Sequence, residues 1–267
     1  MQSIKIFNYC NVKGKIEFMK DFNTKIEQLN QYIKESETIA FFTGAGISTL
    51  SGIPDFRSKN GLYSNRYHGR KPEKILHIKF FNKNPEEFYT FYREKLLLED
   101  VDPNVIHLFI SELEKHNKKV TVVTQNIDGL HEKAGSTNIH NIHGTILKNH
   151  CVDCKTEYPI QYIKDSTGIP KCSKCGGVIR PDITFYGEFL NNQTFKQARL
   201  DTKKADLLIV LGTSLVVYPA SEIVSQYRGK HLVIINKKRT KFDFQADLAI
   251  HEDFSLVFNT LLKELEV

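Results

Sequence analysis

The residue types able to do chemistry in this 267-residue chain fall into two groups, a set of paired cysteines and a series of polar turns that end apolar runs. Cys151-x-x-Cys154 and Cys172-x-x-Cys175 are separated by 17 residues, a spacing that suits four thiolates around one tetrahedral zinc. Gly176-Gly177 just after the second pair permits the tight turn such a knuckle needs. Four thiolates close the coordination sphere and leave no position for water, so an ion held there is structural. Cys10 stands alone and reads as an ordinary thiol.

The polar turns suit an anionic dinucleotide. Ile39-Ala-Phe-Phe-Thr43 is a strand-length apolar run ending in Gly44-Ala45-Gly46-Ile-Ser48, where Ser48 and Thr49 open a helical turn. Glycines there let the backbone turn tightly and let a ligand approach, and a helix start suits a pyrophosphate. The third glycine of the usual dinucleotide fingerprint is absent, position 49 being Thr. Asp55, Phe56 and Arg57 follow Gly52-Ile-Pro and put an acid, a ring and a guanidinium near the phosphates. His143, before Gly144, offers proton transfer near neutral pH.

The elements that position these residues follow from hydrophobic spacing. Strands are expected at 39–43, 120–124, 139–143, 207–211 and 232–235. Helices are expected from the helical repeat of Phe22, Ile26, Leu29 and Ile33, after Pro85, after Pro103, near 192–203, after Pro219, and from Phe254 to Leu265. Short apolar runs alternating with helices indicate a parallel sheet covered on both faces, which binds ligands at its carboxyl ends. Gly44–Ser48, Gln125–Asp128, His143, Gly212–Ser214 and Asn236 all fall at those ends. Residues 1–18 lack clean periodicity and read as an N-terminal extension, 58–84 as a mobile loop leading to helices, and 148–181 as an inserted module.

Composition is that of an ordinary globular protein, 40% hydrophobic and 25% charged, with 37 Lys and Arg against 31 Asp and Glu. The mild positive balance allows an anionic cofactor without calling for nucleic acid, and Lys237-Lys-Arg239 reads as decoration of a strand end. No apolar run reaches membrane-spanning length and the N-terminus lacks a signal-peptide core, so the expected compartment is the cytoplasm.

From about residue 20 to 265 these motifs, in this order, resemble the sirtuins, NAD-dependent protein-lysine deacylases. The resemblance rests on Gly44–Ser48, Gly52-Ile-Pro-Asp-Phe-Arg57, Thr124-Gln-Asn-Ile-Asp-Gly-Leu-His131, His143-Gly144, both cysteine pairs, Tyr186-Gly-Glu188 and Gly212-Thr-Ser214. It implies an α/β fold: a Rossmann-like NAD-binding lobe (19–57, 104–147, 182–267), a helical insertion (58–103) and a small zinc-ribbon lobe (148–181), with NAD and acyl-lysine meeting between lobes. Gly44, Ala45, Gly46, Ser48, Asp55, Phe56, Arg57 and Tyr63 would line the NAD pocket. Gln125, Asn126 and Asp128 would surround the nicotinamide ribose and amide, and Gly212, Thr213, Ser214 and Asn236 the adenosine half. His143 would be the general base and Asn126 its catalytic neighbour. The acyl-lysine peptide would add as a strand between segments containing Thr184, Phe185, Gly187 and Glu188 on one side and Leu215 and Val217 on the other.

Two features depart from the family pattern. Relatives that remove acidic acyl groups carry Tyr-x-x-Arg on the helix after the cofactor loop, whereas the matching spacing here is Tyr92-x-x-Lys95. Lysine lacks the bidentate fork for a carboxylate, which favours acetyl or apolar acyl chains. Thr184 stands where Val is frequent. Lys237–Arg239 beside Asn236 raises NADP as a minor alternative to NAD. ADP-ribosyl transfer or NAD hydrolysis on the same scaffold, and a non-catalytic NAD-sensing module, are the competing functions. His143 favours the deacylase over the former, and the intact set Arg57, Asn126, Asp128 and His143 over the latter. The protein target and oligomeric state are not readable from sequence.

Overall fold

A computed structural model of the chain describes residues 2–98 and 101–265, with side chains described from residue 17 onward. Cys10 therefore lies outside the described side chains. The strands are β1 (Thr38–Thr43), β2 (Lys119–Thr124), β3 (Ile139–Asn141), β4 (Gly144–Cys151), β5 (Glu157–Pro159), β6 (Ile179–Ile183), β7 (Leu207–Leu211), β8 (His231–Ile235) and β9 (Leu248–Ile250). The helices are α1 (Gln2–Glu35), α2 (Pro72–Ile75), α3 (Ile78–Lys83), α4 (Pro85–Lys95), α5 (Val105–Lys115), α6 (Leu130–Ala134), α7 (Ile160–Asp165), α8 (Asn192–Lys204), α9 (Ala220–Ser225) and α10 (Phe254–Leu265). A 3-10 turn, Ala45–Ser51, follows β1.

Six strands form one parallel sheet in the order β3-β2-β1-β7-β8-β9. Chain order reverses between β1 and β7, so the loops after these two strands diverge and leave a crevice at the sheet's carboxyl edge. Alternation along β1 shows why its run is apolar throughout. Ile39 and Phe41 enter the core beneath α1, α5 and α10, while Ala40 and Phe42 enter the core on the other face, under α8 and α9. The packed face of α1 begins at Phe22, as its spacing predicts, although the helix itself starts at Gln2.

A second sheet, β5-β4-β6, is antiparallel and carries the cysteines. It does not stand apart as a module with its own core. Ile146, Cys151, Cys172 and Ile179 share one buried cluster with Phe81, Phe88, Tyr89, Phe91 and Tyr92 from α3 and α4. Tyr89 fixes the joint by donating its hydroxyl to the Ile179 carbonyl. The expected loop at 58–84 is partly helical, since α2 and α3 fall within it.

Two buried histidines tie α5 and α6 to the sheet. His107 accepts from the Asn104 N–H (3.3 Å), closing the cap of α5, and its ring lies 4.9 Å from that of His131. His131 in turn meets the Thr43 hydroxyl at 3.2 Å. Burial lowers His107 to about 4 and holds His131 well below the ordinary histidine value. The unfolded chain takes up protons on these rings below about pH 6.5, whereas folded His107 refuses its proton until about pH 4, so acidification through that window favours unfolding. The His107 contribution amounts to roughly 3 kcal/mol. His107→Gln can still accept from the Asn104 N–H but cannot titrate. Denaturant titrations at pH 7 and pH 4.5 should show a smaller acid loss in this variant than in the parent, and equal losses would refute the assignment.

Candidate functional site

At the reversal point the β1 and β7 turns are stitched together. Gly44 N–H donates to Leu211 O (3.0 Å) and Gly46 N–H to Gly212 O (2.9 Å). A Cβ on Gly46 would fall 2.7 Å from that same carbonyl oxygen. These glycines are therefore required by the close approach of two loops, and their N–H groups serve that contact rather than a ligand.

The crevice so formed is a cavity of about 840 Å³. Its walls include Gly44, Ala45, Gly46, Asp55, Phe56, Arg57, Tyr63, Gln125, Asn126, His143, Gly212, Thr213, Ser214 and Asn236. Thr184, Phe185, Gly187, Glu188 and Val217 line it as well. Asp55 shapes its loop by accepting from the N–H groups of Arg57 (3.0 Å) and Ser58 (2.7 Å). Tyr63 lies against Phe56 with ring centres 5.2 Å apart.

His143 sits on the turn between β3 and β4. Gly144 follows it at φ +81°, where a side chain would collide with the Asp182 carbonyl, so only glycine lets β4 start there. His143 Nδ1 lies 3.0 Å from Gln125 O. A carbonyl can only accept, so Nδ1 carries the proton and Nε2 keeps its lone pair. Burial lowers the His143 pKa, the positive Arg57 adds to this, and the Gln125 bond opposes it. The ring is thus neutral at physiological pH, with Nε2 without a protein partner among the described residues.

Asn126 is buried on the same wall. Its side-chain N–H groups donate to Gly44 O (3.3 Å) and Ser48 Oγ (3.1 Å), while Oδ1 is buried without a partner. An orphaned acceptor lining a cavity calls for a ligand donor such as an amide or hydroxyl. Ser48 and Asp128, expected in the pocket wall, stand behind it instead. Ser48 donates to Asp128 at 2.7 Å and thereby orients Asn126. Burial pushes the Asp128 carboxyl up, opposed by donors from Leu130 and Ser48.

Other expected residues are placed differently. Tyr92 is fully buried among Phe88 and Tyr89 and does not reach the cavity, because most of one side of α4 is core. Lys95 lies over the Tyr67 ring at 5.9 Å, also outside the cavity. No acyl-reading pair is formed there. Leu215 adopts φ +56°, which turns its side chain into the core rather than the groove. The Glu188 carboxylate is held by Arg180 through two bonds of 2.7 and 2.9 Å and accepts the Phe185 N–H at 2.9 Å. It braces the strip. Sequence reading missed Leu76, Leu96, Ile127 and Leu190 in the cavity wall, since apolar residues facing a cavity and those facing a core have the same spacing.

The four cysteines assemble with all four sulfurs within 4.8 Å of one another. Sulfur separations of 3.4 Å (Cys151–Cys175) and 3.5 Å (Cys154–Cys172) lie near the roughly 3.8 Å that a tetrahedron of 2.3 Å metal–sulfur bonds requires. The cluster could hold a metal ion.

A parallel α/β sheet with glycine-stitched loops at its switch point, beside a cysteine-bearing lobe, defines a dinucleotide-cleft protein. Residues 44–219 match the Sir2 family. A protein of Clostridium perfringens named NAD-dependent protein deacetylase is 47% identical over 240 residues, covering 89% of this chain and 98% of that one. A Staphylococcus epidermidis protein of the same name is 48% identical over 238 residues, covering 89% and 96%. Sir2 solved with a deacetylated p53 peptide and 3′-O-acetyl ADP ribose is similar at TM-score 0.81 and 38% identity, covering 90% of this chain and 98% of that one. Sir2 with a p53 peptide and NAD+ gives 0.79, with the same identity and coverage. The chain belongs to the Sir2 family, the sirtuins. No described helix is long and apolar enough to cross a membrane.

Proposed function

We propose that this chain is an NAD-dependent protein-lysine deacylase, in the first instance a deacetylase, which moves the acyl group from lysine to ADP-ribose and releases nicotinamide. The observation that carries the reading is His143. It is a neutral ring whose protonated Nδ1 is fixed by Gln125 O, in a cavity shared with Arg57 and with the unpartnered Asn126 Oδ1. When bound, the dinucleotide supplies the electrophilic ribose carbon and the nicotinamide leaving group. Ala45, Gly46, Asp55, Phe56, Arg57 and Tyr63 would hold its phosphate side, Gln125 and Asn126 the nicotinamide ribose and amide, and Gly212, Thr213, Ser214 and Asn236 the adenosine half. His143 Nε2 accepts a proton from a ribose hydroxyl. Phe56 excludes water from the reacting face.

The substrate is an acyl-lysine segment lying between residues 183–188 and 215–218. Thr184 N–H donates to His143 O (2.8 Å), which couples this strip to the base. The N–H groups of Thr184, Phe185, Tyr186 and Glu188 all have protein acceptors, so the pairing available to a peptide on this side centres on Gly187 and the carbonyls. Phe189 and Tyr218 stand exposed at the mouth, suited to cover a peptide. Arg180→Leu removes the Glu188 brace and should raise KM for an acetyl-lysine peptide roughly 10-fold while leaving KM for NAD unchanged. A rise in both would show a general collapse instead.

The cysteine cluster is assigned one structural zinc, whose closed thiolate set leaves no catalytic position. NAD is preferred to NADP, since Glu252 and Asp253 line the cavity with Lys237–Arg239. The cytoplasm is the proposed compartment, and residues 1–18 are an appendage to the catalytic unit.

The test is product formation from an acetyl-lysine peptide and NAD. Peptide-dependent release of both nicotinamide and free lysine is expected. Nicotinamide without peptide, and no free lysine, would turn the assignment to NAD hydrolysis or ADP-ribosyl transfer.

A further inference from the structure

The two walls of the cleft are built separately and meet at one polar contact. On the cofactor side, residues 55–70 form an irregular loop closed by Leu62 N–H to Asp55 O (2.7 Å) and Tyr63 N–H to Phe56 O (2.9 Å). Those bonds make Tyr63 the platform for its two neighbours in the cavity. Its ring lies 5.2 Å from that of Phe56, and the Arg57 guanidinium carbon sits 5.7 Å from its centre. On the substrate side, Tyr186 is anchored through its backbone: its N–H donates to Leu76 O (2.9 Å) and its carbonyl accepts from Ile78 N–H (3.0 Å). The Tyr186 side chain is left exposed at the rim. The two phenol oxygens lie 3.0 Å apart. Among the described residues this is the one hydrogen bond between residues 55–70 and 184–190.

We propose that the Tyr63–Tyr186 hydroxyl pair is a latch that couples the two binding sites, so that a peptide on the strip favours the Phe56–Arg57 arrangement that receives the dinucleotide, and the reverse. The proposal rests on the deacylase reading and adds cooperativity of binding to it, with Tyr63 and Tyr186 as positioning residues. A single neutral hydrogen bond holding an otherwise unattached loop opens at modest cost, so either ligand shifts the population of the latched form. Burial and the Tyr186 contact keep the Tyr63 phenol protonated far above neutral pH, so the coupling does not follow the titration of His143. The expected coupling is roughly 3- to 10-fold, the worth of one such bond, and it is the same whichever ligand binds first.

Calorimetric titration with carbocyclic NAD, which cannot release nicotinamide, tests this with and without a saturating acetyl-lysine peptide. In the wild type the peptide should lower the Kd of the analogue by the factor above. Tyr63→Phe and Tyr186→Phe each remove one oxygen and should bring the factor close to 1, with the double variant no lower. Each ligand measured alone should bind within about twofold of wild type, since the latch joins the sites and forms neither. A wild-type factor near 1, or variants that keep the full factor, overturns the latch alone. A wild type that binds neither ligand overturns the deacylase reading along with it.

Discussion

His143→Ala is expected to lower free-lysine release by roughly 100- to 10,000-fold, the range that a positioned proton acceptor contributes. The fold should survive the change. The bond that joins this residue to the substrate strip runs from Thr184 N–H to the His143 carbonyl and remains in the variant. What is lost is an imidazole whose tautomer Gln125 O fixes and whose neutral form burial and Arg57 favour. The pH dependence carries the same signature. With a lowered pKa the ring stays unprotonated through neutrality, so kcat/KM should be flat above about pH 6.5 and decline only below it. Steady-state assays of peptide deacetylation between pH 5 and 8.5 would show this. A variant within threefold of wild type would remove His143 from the chemistry.

The second large effect is expected on removing zinc. Structural zinc in small thiolate sites contributes on the order of 10 kcal/mol, which is comparable to the whole stability of a typical domain. Here the loss cannot stay local. Cys151 and Cys172 belong to the same buried cluster as Phe88, Tyr89 and Phe185, so loosening the cysteine turns exposes the packing beneath α4 and the substrate strip together. Strong chelation, or Cys172→Ser, should abolish deacetylation and bring a lower, broadened melting transition. Metal analysis of the purified chain should find one zinc per protein. A chain free of metal, with its melting unmoved by chelator, would show that the four thiols need no ion.

Sequence carried the site best where chemistry and position coincide. Val120–Thr124 and Leu207–Leu211 are apolar on both faces, which few arrangements other than a covered parallel strand allow, and their polar ends fall where the cavity lies. Paired cysteines announce themselves by spacing. Depth, by contrast, is invisible along a helix. Tyr92 and Lys95 share a face by number, yet α4 buries Phe88, Tyr89, Phe91 and Tyr92 together, so the tyrosine is core and the lysine is rim. Leu215 was misplaced because its orientation depends on a positive φ that no apolar pattern records. β4, β5 and β6 escaped notice since their residues alternate without a strong apolar period, and their pairing breaks register between Thr145 and Asn149. Ser48 and Asp128 show a further limit: residue type identifies a polar network but not which member faces the ligand.

β4 begins beside the base and ends on a cysteine, and along its course Ile146 N–H reaches the Ile127 carbonyl at 3.0 Å. Gly144 pairs with Ile183 at one end and Cys151 with Ile179 at the other. The eight residues of this strand are thus a spacer of fixed count. Their identities are open to exchange wherever the pleat keeps its inward and outward faces, but a single inserted or deleted residue would reverse those faces and draw either His143 or Cys151 out of place. Sir2-type chains that keep this lobe should therefore vary in length within the turns 152–156 and 166–178, and hold it constant from 143 to 151.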